Sequence, residues 1–596
     1  MFDRVQISSS LKRLLFWGFA AGAFAAYLVL VVGMRPMIWK LADQTFCLAD
    51  WEGFREAALP GLYPGGVLRW LAALLMSTGL VDGVWWIPYV ALPLAFAWKG
   101  RVSPFLLTAA SLLHLGTRVW QLPDYAFPMT NLLGMGVVIG FFVALRPLAR
   151  KGWWSLAAVG LCAVAFIPLG MYAVFAGVLL AVDSLIRMRA RLPLVVGCAL
   201  LPLVLLVSVP WLASTFVYDD VALDLLVGYS QSVLNGALLE PFGFWPILAF
   251  LLLGVELLLP KRRVHVSMAA ALCGLMFLGL PKDDVRPQFR MERCMMEGRY
   301  ADALKEDARE DRPLRMSIAY RVYALWRTNR LENDLFVRPF SSFHRSTVAE
   351  ELRMDGQNLL FAYGFLQPAR QQAMESAAAK GWQAGHLRLL GDVAYLTGEP
   401  MLAIRYWRQM ARCPFRGEFA QRRLRGLYEG KGLDDSAFED LRAVAMLHAV
   451  WQETVRIREE PPFYHFPDRN VEAFVYGRLL TIKGNPSPEV ARLALAAYLL
   501  EKDAKALVGS RGVMDVLCPE GPWPRVWQQG VLSYLGKCSE DERTRLVASL
   551  REGVFTQDEV DRFDRFVADI QNAASQAVDF STRYGDTYYF YEMFVQ

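Results

Sequence analysis

The chain has 596 residues, of which 55% are hydrophobic and 18 are tryptophan, which is more apolar than a typical soluble globular protein. Its formal net charge of only +5, with no basic stripe interleaved with aromatic residues, argues against nucleic-acid binding. Charged residues form short clusters between long apolar runs up to Leu280 and are interspersed from Pro281 onward. The sequence therefore predicts a polytopic transmembrane domain over residues 1–280 and a soluble domain over residues 281–596.

The first predicted element is a transmembrane helix at Leu14–Gly33, preceded by Arg4, Lys12 and Arg13. An apolar run of about 20 residues spans a bilayer, whereas the apolar part of a signal peptide is shorter. No small-residue cleavage site follows the run. We therefore interpret it as an uncleaved first membrane helix.

Four basic clusters set the predicted topology, because positive residues in short loops stay on the cytoplasmic side. They are Lys99–Arg101, Arg146–Lys151, Arg187–Arg191 and Lys261–Arg263. The apolar runs around them are Val84–Trp98, Pro104–Leu115, Phe127–Leu145, Trp153–Ile167, Gly170–Ile186, Leu192–Leu212, Pro241–Leu259 and Val266–Leu280. Gly65–Leu80 is also apolar, but only one crossing fits between the first outer loop and the cytoplasmic cluster Lys99–Arg101, and Val84–Trp98 supplies it. We therefore interpret Gly65–Leu80 as a re-entrant or interfacial helix.

This interpretation gives about nine crossings of a bacterial inner membrane by a multi-pass protein. The N-terminus lies in the cytoplasm, and the chain after Pro281 lies in the periplasm as part of the cell envelope.

The soluble half is predicted to be α-helical, so the fold class of the whole chain is all-α. Leu389-Leu390-Gly391, Gly398, Ala403 and Trp407 have the small-to-large spacing of a tetratricopeptide repeat, in which small residues let two helices approach. A fainter copy contains Gly298 and Ala303. The pattern favours a TPR-like α-solenoid, and an ordinary helical bundle is the alternative.

The chain ends in "YGDTYYFYEMFVQ", an aromatic segment too short to span a membrane. Tyrosine suits either the membrane–water interface or a lid that packs on the last helices. Eight cysteines are present without a CxxC pair, which offers no zinc or thioredoxin-type motif. Cys518 and Cys538 are a candidate disulfide if their compartment is oxidising.

The chemically most interesting region is the predicted first outer loop, which holds Asp43, Asp50, Glu52 and Glu56. Carboxylates at an outer interface can bind a divalent cation or act as a general base. The candidate metal ligands are Asp50 together with Asp219 and Asp220 of a later predicted outer loop, and Asp50 is the candidate catalytic residue. The alternative is a solvated amphipathic helix whose charges balance one another.

The first outer loop resembles that of the GT-C glycosyltransferases, multi-pass enzymes that take sugars from polyprenyl-phosphate carriers. In that superfamily an acidic residue soon after the first helix precedes a short helix and a Pro/Gly-rich turn, and Asp50 with "WEGFREAALPGLYPGG" follows the same order. The resemblance implies that Asp50 is a metal ligand or base, and some members carry tetratricopeptide repeats after the membrane domain.

A second resemblance covers nearly the whole chain. "LYPGGVLRWLAALL", "GNPSPEVARLALAAYLLEKD" and "YGDTYYFYEMF" are similar in order and spacing to an uncharacterised bacterial family of multi-pass membrane proteins with a domain of unknown function. That resemblance implies an architecture and no activity.

Three classes of function follow, and the sequence does not decide whether the protein is an enzyme. The first is an envelope scaffold, anchored among membrane lipids, whose helical-repeat groove binds a protein or peptide partner. The alternative is a GT-C-like glycosyltransferase, which would need a divalent cation as its cofactor. For the other two classes of function the sequence indicates no particular cofactor. A transporter ranks last, because the predicted spans hold few ionisable residues.

Overall fold

The computed structural model describes residues 21–22, 24–58, 64–108, 127–150, 154–187, 244–259, 286–310, 315–338, 356–457, 487–572 and 579–595, together with a few isolated residues. Within those ranges every regular element is a helix, which confirms the all-α prediction. The chain divides into two compact units. The first contains Met1–Asp284 together with residues 377–388 and 404–424, and the second contains the remainder.

The helices of the first 284 residues are numbered in chain order. They are α1 (Phe24–Gly33), α2 (Arg35–Gln44), α3 (Trp51–Ala58), α4 (Gly66–Met76), α5 (Ile87–Gly100), α6 (Phe127–Ala149), α7 (Trp154–Val164), α8 (Phe166–Leu169), α9 (Met171–Arg187) and α10 (Phe244–Leu258). A 3₁₀ turn, Ser77–Leu80, continues α4.

Helix α6 forms the centre of the first unit, and α4, α5, α7, α9 and α10 all pack against it. Its closest contact with α9 depends on Gly134, where a Cβ atom would lie 2.3 Å from the Tyr172 ring. The Tyr172 hydroxyl donates to Asn131 Oδ1 at 2.8 Å, so both of these buried oxygens have a hydrogen-bond partner inside the unit.

The region of the first predicted crossing contains a sharp bend. Helices α1 and α2 meet at 52°, and Pro36 lies in the first turn of α2. Proline has no backbone N–H to donate and is tolerated at this position of a helix, so α2 restarts where α1 ends.

Helix α6 is long and apolar enough over Pro128–Ala149 to cross a membrane. Helices α1 and α2 together are also long and apolar enough if the pair forms one broken span. Helices α4, α7, α9 and α10 are apolar but shorter. The predicted spans at Leu192–Leu212 and Val266–Leu280 lie almost wholly outside the described residues. The nine predicted crossings are therefore not confirmed.

The predicted apolar runs Trp153–Ile167 and Gly170–Ile186 contain α7 and α9, which pack against each other and are joined through α8. Gly170 turns the chain with a φ of +68°, a conformation that suits glycine. The predicted re-entrant segment Gly65–Leu80 is helix α4 with its 3₁₀ continuation, and its membrane placement stays a prediction.

Helices α11 to α19 follow Val285. They are α11 (Arg286–Met296), α12 (Tyr300–Asp307), α13 (Arg315–Arg327), α14 (Leu331–Asp334), α15 (Gln357–Ala362), α16 (Leu366–Lys380), α17 (Ala384–Leu396), α18 (Pro400–Ala411) and α19 (Gly417–Tyr428). The remaining helices are α20 (Arg442–Ile457), α21 (Pro488–Leu500), α22 (Ala504–Gly509), α23 (Arg511–Leu517), α24 (Arg525–Lys537), α25 (Glu540–Ala548), α26 (Gln557–Asn572), α27 (Phe580–Tyr584) and α28 (Tyr588–Phe594).

One turn recurs in the second unit. Its left-handed residue is Gly298, Asn329, Gly364, Gly398 or Gly430, and these five positions are 31, 35, 34 and 32 residues apart. At each, the N–H of the following residue donates to the carbonyl five residues earlier, at 2.7–2.9 Å. This is the Schellman ending of a helix, and after the first four turns a new helix begins within two residues. A sixth turn of the same kind has Lys502 as its left-handed residue, and there the Asp503 N–H donates to the Tyr498 carbonyl at 2.8 Å. We call the five turns from Gly298 to Gly430 the turn series.

The aromatic C-terminal segment packs within the second unit. Tyr588, Tyr589 and Tyr591 are buried, and the Tyr591 hydroxyl donates to the Leu500 carbonyl at 2.9 Å. The Tyr591 ring also lies 4.8 Å from the ring of Phe340. These contacts agree with the lid interpretation of the tail.

Candidate functional site

The candidate site lies in the first unit, where residues 43–56, the acidic loop, meet residues 404–424, the arginine segment. Asp50 caps helix α3, because its Oδ1 accepts the Gly53 N–H at 2.9 Å. Aspartate is among the best residues for this role, since it satisfies a backbone donor that the helix leaves free. The local sequence alone therefore accounts for the start of α3 at Trp51.

Asp50 and Glu52 share one guanidinium. Arg412 Nε donates to Asp50 Oδ2 at 2.6 Å, and Arg412 Nη2 donates to Asp50 Oδ1 at 3.2 Å and to Glu52 Oε2 at 2.8 Å. The two-pronged contact with Asp50 uses the fork geometry that makes arginine selective for carboxylates. The Asp50 side chain is still 42% exposed, so water screens the contact.

The hydrogen bond from Arg412, followed by the one from the Gly53 N–H, lowers the pKa of Asp50 below its ordinary value. A carboxylate with a lowered pKa is a weaker proton acceptor, whereas a general base works best with a pKa near the working pH. A metal ion at Asp50 would also compete with Arg412 for both carboxylate oxygens.

Asp43 forms the buried end of the site. Its side chain is only 3% exposed and pairs with Arg416, and Lys40 and Arg388 add positive charge nearby. Gly385, in the first turn of α17, approaches so closely that a Cβ atom there would lie 3.1 Å from Asp43 Oδ2. Asp43 therefore acts as an internal anchor for the arginine segment.

Two cysteines lie between these ion pairs. The Ala49 N–H donates to the Arg412 carbonyl at 3.0 Å. The thiol of Cys47 donates to the Leu48 carbonyl at 3.7 Å, and the thiol of Cys413 donates to the Gln409 carbonyl at 3.8 Å. Burial raises the pKa of the Cys47 thiol to about 12 and that of the Cys413 thiol to about 11. Both groups are therefore neutral thiols near neutral pH, which is unlike the lowered pKa of a reactive cysteine.

Aromatic side chains lie beside the site. Trp51 is 73% exposed and packs on Phe54 with ring centroids 5.5 Å apart, and Phe54 packs edge-on against Trp70. Phe415 is 56% exposed and has a φ of +59°, a conformation that bulky residues rarely adopt. The site thus combines carboxylates, arginines and exposed rings.

Of the predicted metal ligands, the structure describes Asp50 alone, because Asp219 and Asp220 lie outside the described residues. Within the described ranges, no group of three or more His, Cys, Asp or Glu residues could hold a metal ion. Arg412 and Arg416 were not predicted, because no local pattern pairs them with a loop that far away along the chain. Cys518 and Cys538 are free thiols in the structure.

The buried carboxylates near the predicted cytoplasmic ends of the membrane helices have partners. Arg146 donates to Asp183 through Nε at 3.1 Å and Nη2 at 2.8 Å. Glu256 Oε2 accepts the Ser103 N–H at 3.0 Å. Asp183 is thus paired with an arginine, which is the usual state of a buried charge, and one oxygen of Glu256 accepts a backbone N–H.

No curated protein and no solved structure gives a significant match to this chain. A family model described as a family of unknown function, DUF6057, matches residues 11–595. The match extends from the first apolar run to the tyrosine-rich end, as the second resemblance in the sequence implied. The chain therefore belongs to the family of unknown function DUF6057.

Proposed function

We propose that the protein is a cell-envelope scaffold, anchored in the inner membrane, that displays a TPR-like helical-repeat surface to a partner outside the cytoplasm. The observation that carries the proposal is the spacing of the turn series, at 31, 35, 34 and 32 residues. A tetratricopeptide repeat is a helix pair of about 34 residues. Stacked pairs of this kind form extended surfaces that bind peptides and proteins.

The membrane anchor is supported by the surface of the first unit. Large apolar side chains project outward from its helices, among them Val29 (69% exposed), Trp98 (84%) and Val164 (73%). Isolated exposed apolar residues are ordinary, but a series of them on apolar helices suits a hydrocarbon environment. With the basic clusters on the cytoplasmic side, the N-terminus lies inside and the helical-repeat surface lies in the periplasm.

The alternative is a GT-C-like glycosyltransferase that uses Asp50. Its support is the exposure of Asp50 and Glu52 in the acidic loop, close to exposed aromatic rings. For that reaction Arg412 would have to release Asp50, because the carboxylate must bind a cation or accept a proton. A scaffold needs no such rearrangement, so we place it first and transport last.

Complementation of a deletion strain separates the two functions. Asp50→Asn keeps the side-chain size and capping ability but removes the charge, so a scaffold should complement fully. A transferase that depends on Asp50 should lose activity by about 100-fold or more.

The matched variants alter exposed apolar side chains of the second unit. Met401 and Tyr428 lie in helix pairs of the turn series and are 73% and 59% exposed, whereas Val547 lies in α25 and is 50% exposed. Met401→Glu with Tyr428→Glu should abolish complementation at unchanged protein level, while Val547→Glu should not. Failure of Asp50→Asn together with full activity of the Met401/Tyr428 double variant would favour the transferase.

A further inference from the structure

Three arginines share one face of helix α18. Arg405, Arg408 and Arg412 follow the spacing that aligns side chains along one side of a helix. The opposite side, which carries Trp407 and Met410, is buried. Arg412 binds the acidic loop, whereas Arg405 and Arg408 are exposed about two turns and one turn before it. The first unit therefore carries a strip of positive charge on its surface next to the acidic loop.

Two exposed aromatic rings lie close along the chain to the contact between Arg412 and Asp50. Trp51 directly follows Asp50, and Phe415 follows Arg412 by three residues. Phe415 also has a φ of +59°, a conformation that costs free energy in any residue with a Cβ. A bulky ring that is exposed in a strained backbone adds nothing to the core, so its presence points to a role at the surface.

This surface is attached to the helix that follows the first predicted membrane crossing. Helix α1 exposes Val29 and Val32, which suits contact with hydrocarbon, and α2 continues from the bend at its end. Arg416 binds Asp43 in the last turn of α2, a helix of 10 residues. At 1.5 Å per residue, Asp43 lies within about 15 Å of the end of α1. Phe415, which directly precedes Arg416, is therefore held near the predicted edge of the bilayer.

We propose that the two exposed rings and the two exposed arginines of α18 form an interfacial platform that binds anionic phospholipid headgroups of the outer leaflet. The platform consists of Trp51, Phe415, Arg405 and Arg408. The rings lie at the boundary between headgroups and acyl chains, where amphipathic aromatic side chains are favoured. The guanidinium groups bind phosphate oxygens, because their planar fork matches phosphate geometry. The choice of leaflet rests on the outer-face placement in the proposed function.

The composition of the platform favours a lipid surface over an acidic peptide or a second copy of the chain. Cations beside large exposed rings are typical of segments that lie in a membrane interface. Each arginine near an anionic bilayer adds attraction, and the exposed charges of Arg405 and Arg408 supply it. Since the platform belongs to the same unit as the membrane helices, this contact is a second anchor on one bilayer, which strengthens a weak interaction.

The test uses the full-length protein in nanodiscs that contain equal amounts of phosphatidylglycerol and phosphatidylcholine. The photoreactive residue p-benzoylphenylalanine replaces Phe415 and retains its aromatic ring, and mass spectrometry after illumination identifies what is attached. We expect phospholipid adducts, with phosphatidylglycerol about fivefold or more above phosphatidylcholine. The same photoreactive residue in place of Val547, an exposed residue of α25 in the second unit, should give no lipid adduct.

Charge variants test the arginines. Arg405→Gln with Arg408→Gln should bring the two lipids toward equal yield, because the attraction to the anionic headgroup is lost. The matched double variant Arg545→Gln with Arg565→Gln exchanges two exposed arginines of α25 and α26 and should leave the excess of phosphatidylglycerol unchanged.

The absence of any lipid adduct at Phe415 would overturn the platform. So would a protein adduct there, whether with a second copy of the chain in nanodiscs or with another protein in illuminated cells. Equal yields of the two lipids in the protein with both arginines would overturn the binding of anionic headgroups. Lipid adducts combined with an inactive alkaline phosphatase fused after Gln596 would support the platform and contradict the outer-face placement in the proposed function. The two failures are thus distinguishable.

Discussion

The acidic loop and the turn series are held in opposite ways. The acidic loop depends on side chains that meet across hundreds of residues, such as Asp43 with Arg416 and Asp50 with Arg412. Each member of the turn series is closed by backbone hydrogen bonds that span five residues, as from Glu399 N–H to the Ala394 carbonyl. A local turn repeats wherever one residue can adopt the left-handed conformation, whereas each long-range contact needs a specific residue type at each end.

The largest effect should come from the buried end of the acidic loop. Asp43→Asn leaves the largely buried guanidinium of Arg416 facing a neutral amide, with the like charges of Lys40 and Arg388 nearby. Breaking a buried pair in this way costs about 3–5 kcal/mol in the free energy of unfolding. Denaturant titration of the full-length protein in detergent, followed by tryptophan fluorescence, measures the loss. A change below about 1 kcal/mol would mean that Asp43 is solvated in the protein.

A smaller effect should come from one turn. Gly398 has a φ of +77°, and a Cβ atom added there would meet no other atom within 4 Å, so Gly398→Ala adds backbone strain without a collision. The left-handed conformation costs a residue with a Cβ about 1–2 kcal/mol. Gly512 is a matched control, because it lies in helix α23 with open space around it.

Gly512→Ala should leave stability unchanged or raise it by up to about 1 kcal/mol, since alanine favours a helix more than glycine does. The same denaturant titration gives both values. Equal losses at Gly398 and Gly512 would show that the turn conformation is not the source of the cost.

The exposed end of the acidic loop should be least sensitive. Asp50→Asn removes a half-exposed ion pair, which is worth at most about 1 kcal/mol, and asparagine still caps helix α3. The comparison with Asp43→Asn is direct, because both variants exchange aspartate for asparagine opposite an arginine. A larger loss at Asp50 than at Asp43 would reverse the assignment of the buried and exposed ends.

The contact at Asp50 should also depend on pH. Its pKa is lowered in the folded protein by the hydrogen bonds from Arg412 and the Gly53 N–H, so its contribution is present above the ordinary carboxyl pKa of 3.8 and is lost as the pH falls through the lower folded value. The difference in denaturant midpoint between the wild type and Asp50→Asn should therefore shrink toward zero as the pH falls from about 5 to about 2. A difference that grows in acid would contradict this sign.

The sequence predicts the local features well. Helical periodicity predicts an all-α chain, and Gly298 and Gly398 mark two members of the turn series. The turn at Asn329 is harder to predict from the sequence, because no pattern of small residues surrounds it. Asparagine can nevertheless adopt the left-handed conformation. Gly364 and Gly430 follow helices whose small residues do not repeat the spacing around Gly398.

The long-range part of the site could not be predicted from one sequence. Asp50 stands out by its position after the first apolar run, but nothing near Arg412, Cys413 or Arg416 indicates which residues they meet. Charge and thiol chemistry make many pairings possible, and only packing selects among them. All six cysteines that the structure describes are free thiols, and the candidate pair Cys518 and Cys538 is among them.

The display of a helical-repeat surface outside the cytoplasm is tested most directly by fusions after Gln596. Alkaline phosphatase is active only in the periplasm, and a fluorescent protein that folds only in the cytoplasm reports the opposite side. We expect an active phosphatase fusion and a dark fluorescent fusion at equal protein levels, with the reverse pattern for fusions after Arg101 in the first predicted cytoplasmic loop. A bright fluorescent fusion and an inactive phosphatase after Gln596 would contradict the proposed display.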